Sequence, residues 1–238
     1  MTGTEADSVV ASYLLLRKAI GWIGTLLPVV LIVGDAFTST SLSDSISDFY
    51  YSPMRNIMVG SLCVLGAFLL FYDVGVLADR WITNVAGAGI IGVAFFPATP
   101  EIPHPTTTQQ VVGDLHVFFA AVAFVALSVT MWRFARADSD GLNAPAPSPG
   151  AANFYRSSAG VMLGFVVLSG VANLLPASAQ HATLLLFIFE ALAIITFGIS
   201  WLVKGRGLQA LLSAPGIRRI RSLRQGARSA AIPGDLPQ

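Results

Sequence analysis

Residues 183–203 read TLLLFIFEALAIITFGISWLV. The run is apolar almost throughout, and Glu190 is its one ionisable side chain. A backbone in lipid must satisfy its own hydrogen bonds, so a crossing segment is a helix or part of a closed barrel. Barrel strands alternate apolar and polar over about 10 residues, and this run does not alternate. It is long enough for the ~20 residues that a helix needs to cross a bilayer. The stretch therefore predicts a transmembrane helix.

Five further runs of the same kind precede it. They are Ala19 to about Phe37, Met54 to about Tyr72, Trp81 to Phe96, Gly113 to about Phe134, and Phe154 to Leu175, with the sixth beginning at His181. The chain has 238 residues, 54% hydrophobic and 11% charged, against about 25% charged in soluble domains. Mean hydropathy is +0.70. So little charge cannot cover a water-facing surface. The expected fold is all-α, a polytopic bundle of six spans. A short tail (1–13), a six-span domain (14–204) and a basic tail (205–238) make up the expected organisation, with no separate soluble domain. The first run exceeds the ~7–15 residues of a signal-peptide core, so it reads as a retained span, kinked at Pro28.

Lysine and arginine bias orients the bundle. With six spans both tails share a side, and that side collects all but Arg55 of the 14 basic residues. Both termini are therefore expected in the cytoplasm. Trp22, Trp81, Trp132 and Trp201 fall at the same ends, as an interfacial belt would. The opposite side carries Asp35, Asp44, Asp48, Glu101 and Asp114, together with His104, His116 and His181. The lone Cys63 excludes an intrachain disulfide and a CxxC site. Gly160–Gly164 and Ala88–Gly92 have the spacing of close helix packing. GVAFFPAT (92–99) and GVANLLPAS (170–178) are weakly self-similar, from a duplicated hairpin or from chance.

The candidate site residues lie on this outer side. Glu190 sits roughly 13 Å into its span, where a charge costs about 2.5–3.5 kcal/mol on insertion scales. It should face the interior, be protonated or have a partner, with Asn84 and Asn173 in reach as structural partners. Arg55 opens the second span beside Asp48. It reads either as a loop-anchoring ion pair or as a clamp for a carboxylate or lipid phosphate. Tyr50 and Tyr51 suit interfacial anchoring. Asp114 reads as a helix cap or, with His116 and His181, as part of a metal set. The tail GIRRIRSLRQGAR (216–228) spaces Ile217, Ile220 and Leu223 among arginines, as an amphipathic helix on an anionic leaflet or a solvated anchor would.

The strings SISDFYYSPMRNIMVGSLCVLGAFLL (45–70), NVAGAGIIGVAFFPAT (84–99) and DLHVFFAAVAF (114–124) resemble the bacterial six-helix membrane proteins called domain of unknown function 998. More distantly they are similar to DRAM-like membrane proteins, whose fourth span also carries a histidine near its start. The resemblance covers about residues 14–135 well. It implies six helices, a bacterial inner membrane, and no settled activity. A remoter likeness is to alkaline ceramidase-like hydrolases, which use a Ser, an Asp and three His around zinc; the last span here departs from that pattern, having no HxxxH.

The expected function is binding or sensing a lipid or small polar ligand in an outward-facing pocket. Asp35, Asp48, Tyr51, Arg55, Asp114, His116, His181 and Glu190 would line it. A metal-dependent lipid hydrolase using His116, His181 and Asp114 is the alternative, and a haem protein with His116 and His181 as axial ligands the third. The expected partners are membrane lipids, with anionic inner-leaflet lipids for the tail; no nucleic acid is expected.

Overall fold

A computed structural model describes residues 3–38, 43–72, 77–136, 147–175 and 184–212. Among them there are six α-helices and no strand: α1 Gly3–Thr38, α2 Arg55–Leu70, α3 Leu77–Phe95, α4 Thr107–Arg133, α5 Pro149–Ala172 and α6 Leu185–Leu212. A single 3-10 turn, Ser47–Tyr51, precedes α2. Within Leu14–Thr38, Thr107–Arg133, Pro149–Ala172 and Leu185–Gly205 the helices are long and apolar enough to cross a membrane. α2 is the shortest, with 16 residues; its rise of about 24 Å falls short of a ~30 Å hydrocarbon core. α3 carries Asp79 and Arg80 in its first turn.

Several helices start or end outside the bounds expected from hydropathy, and local chemistry explains two of them. α4 begins two turns before Gly113, because Thr106 and Gln109 form a reciprocal capping box. Asp114 is therefore not a cap; it stands in the third turn of an established helix. α5 takes in the end of the Pro-rich stretch APAPSPG (144–150), with Ser148 accepting from Ala151 N and Pro149 at the first helical position. α1 starts inside the expected tail and runs through Pro28 without a break. α6 continues to Leu212, past the expected tail boundary at 205. The segment 217–228 lies outside the described residues.

Each helix packs on its neighbour in the chain, and α6 closes the ring against α1. The close approaches are made at glycines. A Cβ on Gly21 would lie 2.8 Å from Leu202 N, and one on Gly66 would lie 2.8 Å from Gly87 O, so these two seams tolerate no side chain. Gly160 and Gly164 face outward into open space, contrary to their expected role in packing, because α5 turns its larger residues Tyr155 and Met162 to the core.

One end of the ring is sealed. Trp201 is fully buried among Tyr72, Phe134 and Phe197, with ring centroids 4.7, 5.2 and 5.8 Å away. It belongs to the core, while Trp22, Trp81 and Trp132 are exposed as a belt requires. Buried Arg17 donates from Nε to Tyr72 OH (2.6 Å). Lys204 lies over the Phe134 ring, 5.0 Å from its centroid, and Arg133 pairs with Asp79. Apolar rings and the stems of long basic residues fill the space between helices here, so the room left in the ring lies toward the opposite end.

Candidate functional site

The opposite end is crossed by residues 43–54, which fold inward because their hydrophobic side chains have a core to enter. Phe49 is 1% exposed and packs on Phe187, with Leu27, Leu31 and Met58 around them. Polar anchors then fix the turn from several sides. Asp35 of α1 accepts from Ser43 N (3.0 Å) and Ser43 Oγ (3.3 Å). Ser45 Oγ donates to Asp48 Oδ2 (2.7 Å) and accepts from Asp48 N (3.0 Å). Ile46 N donates to Glu190 Oε2 (2.7 Å). Asp44 O accepts from Phe187 N (2.9 Å), satisfying one of the donors that the start of α6 leaves unpaired. Tyr51 OH donates to Ala98 O (2.7 Å) in the next loop.

His116 completes the set. Its Nδ1 lies 2.8 Å from Phe96 O and its Nε2 3.0 Å from Ser47 Oγ. A carbonyl only accepts, so Nδ1 carries a proton. In the neutral imidazole Nε2 then accepts from the Ser47 hydroxyl. The ring thereby ties α4 to the end of α3 and to the turn.

Beneath the turn is a cavity of about 940 Å³. Its polar residues gather toward the mouth: Asp48, Glu101, Asp114, His116, Asn173 and Glu190. Leu62, Leu65, Ile90, Leu127 and Phe197 form the wall deeper in the ring. Every helix contributes to the lining. The space therefore suits a molecule with a polar head and an apolar body. Burial, with Asp44 nearby, raises the Asp48 carboxyl above its ordinary value, and the hydrogen bond from Ser45 opposes this.

Of the residues expected to share a pocket, Asp48, Asp114, His116 and Glu190 line this cavity. Asp35, Tyr51 and Arg55 are not part of its lining. Asp35 and Tyr51 hold the turn from outside. Arg55 is exposed, with its guanidinium over the Tyr50 ring 4.0 Å from the centroid and bonded to Tyr50 OH. An aromatic face and a phenol oxygen take the place of the expected acid. His181 lies outside the described residues. Asn84 is at the sealed end, its amide nitrogen within 2.9 Å of Leu70 O, while Asn173 lines the same cavity as Glu190. Among the described residues no three of His, Cys, Asp and Glu come together as a metal site.

Ser45, Ser47 and Ser169 were not foreseen. Ser45 and Ser47 stand at alternate places in the run SLSDSISD (41–48), a pattern that favours turns in which side chains bond the local backbone. No family model, curated protein or solved structure matches the chain.

Proposed function

We propose that this chain is a six-span protein of a bacterial inner membrane, with both termini in the cytoplasm, that binds or senses a lipid or small polar ligand in an outward-facing pocket. The observation that carries the reading is the ~940 Å³ cavity, lined from all six helices, with its charged residues Asp48, Glu101, Asp114 and Glu190 all toward one end. α2 and α3 stand in the ring between longer neighbours and cross with them. The orientation is supported by the division of charge: Asp35, Asp48, Glu101 and Asp114 gather at the end away from Arg17, Arg133 and Lys204. Membership of the domain of unknown function 998 rests on the strings at 45–70, 84–99 and 114–124.

The hydrolase reading keeps one observation in its favour, the Ser47 hydroxyl on His116 Nε2 at the cavity wall. A zinc centre on His116 would need His181 to join it and Ser47 to release Nε2. A haem on His116 would require the same release.

Mass spectrometry of the purified chain under native conditions separates these readings. The expected result is one bound lipid or small molecule per chain. Ala120→Trp, which fills the cavity from α4 and replaces no charged group, should expel it while the helical circular dichroism persists. Unchanged occupancy in that variant sinks the binding reading. Stoichiometric zinc supports the hydrolase, and a Soret band supports haem.

A further inference from the structure

The cavity holds an imbalance that bears on what enters it. Asp48, Asp114 and Glu190 supply three carboxyl groups to its lining, and among the described residues no lysine or arginine belongs to that lining. Arg55, the one arginine or lysine near this end among the described residues, lies exposed against Tyr50. The segments 39–42 and 176–183, outside the described residues, contain no lysine or arginine either. Carboxyl groups facing a half-enclosed apolar cavity must stay protonated or find a countercharge, since desolvation penalises the anion. Among the described residues the lining offers no lysine or arginine as that countercharge; its one basic side chain is His116, bonded to Phe96 O and Ser47 Oγ.

A second observation concerns a hydroxyl in the same lining. Ser169 of α5 lines it, is 91% buried by its 9% exposure, and its Oγ has no hydrogen-bond partner. Buried hydroxyls are nearly always paired. A serine inside a helix commonly bonds back to the carbonyl four residues earlier, and this one does not. The hydroxyl faces the cavity with a donor and an acceptor to spare, as a polar head group held by the neighbouring carboxyls would require.

Deeper still the lining loses its charge. From Glu190 to Phe197 the helix rises about 10 Å, and Leu65, Ile90 and Leu127 surround that stretch. This depth suits an alkyl chain and offers nothing to a second polar group.

We propose that the ligand is a cationic amphiphile: a single-chain amine or ammonium compound, its head among Glu190, Asp48 and Asp114 and its chain toward Phe197. The inference rests on the binding reading above and specifies its ligand. An anionic head group, of the kind an arginine clamp would have taken, meets three carboxyl groups here and, among the described residues, no lysine or arginine.

The test is calorimetric titration of the full chain, in a neutral maltoside detergent at pH 7.5, with decylamine, decanol and decanoate. These probes share a chain length and differ in head charge. Decylamine should bind about tenfold or more tighter than either of the others. Glu190→Gln should bring its affinity down to that of decanol, and Asp48→Asn should lower it as well. Both variants keep an acceptor oxygen for the turn. Asp114→Asn, an exposed position outside the turn's hydrogen bonds, is the control for misfolding and should weaken decylamine alone. Decanoate binding as tightly as decylamine overturns the charge assignment while leaving the cavity a binding site. So does decylamine affinity that all three variants leave unchanged. If none of the three probes binds, the cavity is not a ligand site, and both readings fall together.

Discussion

Glu190 and His116 each serve two partners: the cavity and the turn above it. Glu190 accepts from Ile46 N, and the two consequences of changing it separate cleanly. Glu190→Gln keeps an acceptor, so thermal unfolding in detergent should change little. Glu190→Leu leaves a backbone donor unpaired and should cost about 1–3 kcal/mol. Equal stability of the two variants would mean that the Ile46 bond contributes nothing. Asp48 gives a prediction with a pH sign. Its carboxyl is raised above the ordinary value by burial, so ionisation disfavours the folded state. That cost is absent below the unfolded value near pH 4 and grows as pH rises through the folded one. Asp48→Asn keeps an acceptor for Ser45 and removes the charge. Its melting temperature should exceed that of the wild type at pH 7, and the gap should close toward pH 4. A gap that widens on acidification would contradict the burial argument.

At the scale of elements, glycine spacing alone did not distinguish a seam from a lipid-facing surface. Gly160 and Gly164 have the GxxxG pattern and meet nothing, while Gly21 and Gly66 lie against neighbouring helices. Gly66→Leu should therefore cost about 1–3 kcal/mol by overpacking, and Gly160→Leu should stay within about 0.5 kcal/mol. Chemical denaturation in a fixed detergent measures both, and a large loss at Gly160 would point to a contact outside this chain. The tail 217–228 is a separate element-scale proposal. A peptide of that sequence should bind anionic vesicles, gain helicity, and release as salt rises. Equal binding to neutral vesicles would remove the electrostatic part.

At the scale of the whole molecule, the described residues form a ring of six helices, sealed at one end by aromatic rings and basic stems and hollow toward the other. Its orientation is testable from outside. Reporters fused after Arg136 and after Lys204 should read cytoplasmic, and one inserted near Glu101 should read external. A cytoplasmic reading at Glu101 would turn the cavity to face inward and relocate the site with it.

Helical class, and the approximate number and position of the helices, were legible in the sequence. Each follows from local apolar length and from backbone hydrogen bonding, which need no neighbour. Who touches whom was not legible. Asp48, Asp114, His116 and Glu190 stand far apart along the chain, and only closure of the ring sets them around one cavity. The same closure buries Trp201 and Arg17, which composition placed at a membrane surface. Arg55 turns to Tyr50 because the folded turn gives Asp48 to Ser45 first. Hydropathy is summed residue by residue along one strand of chain; a cavity is the space between elements, and its lining is decided only when their faces have been chosen.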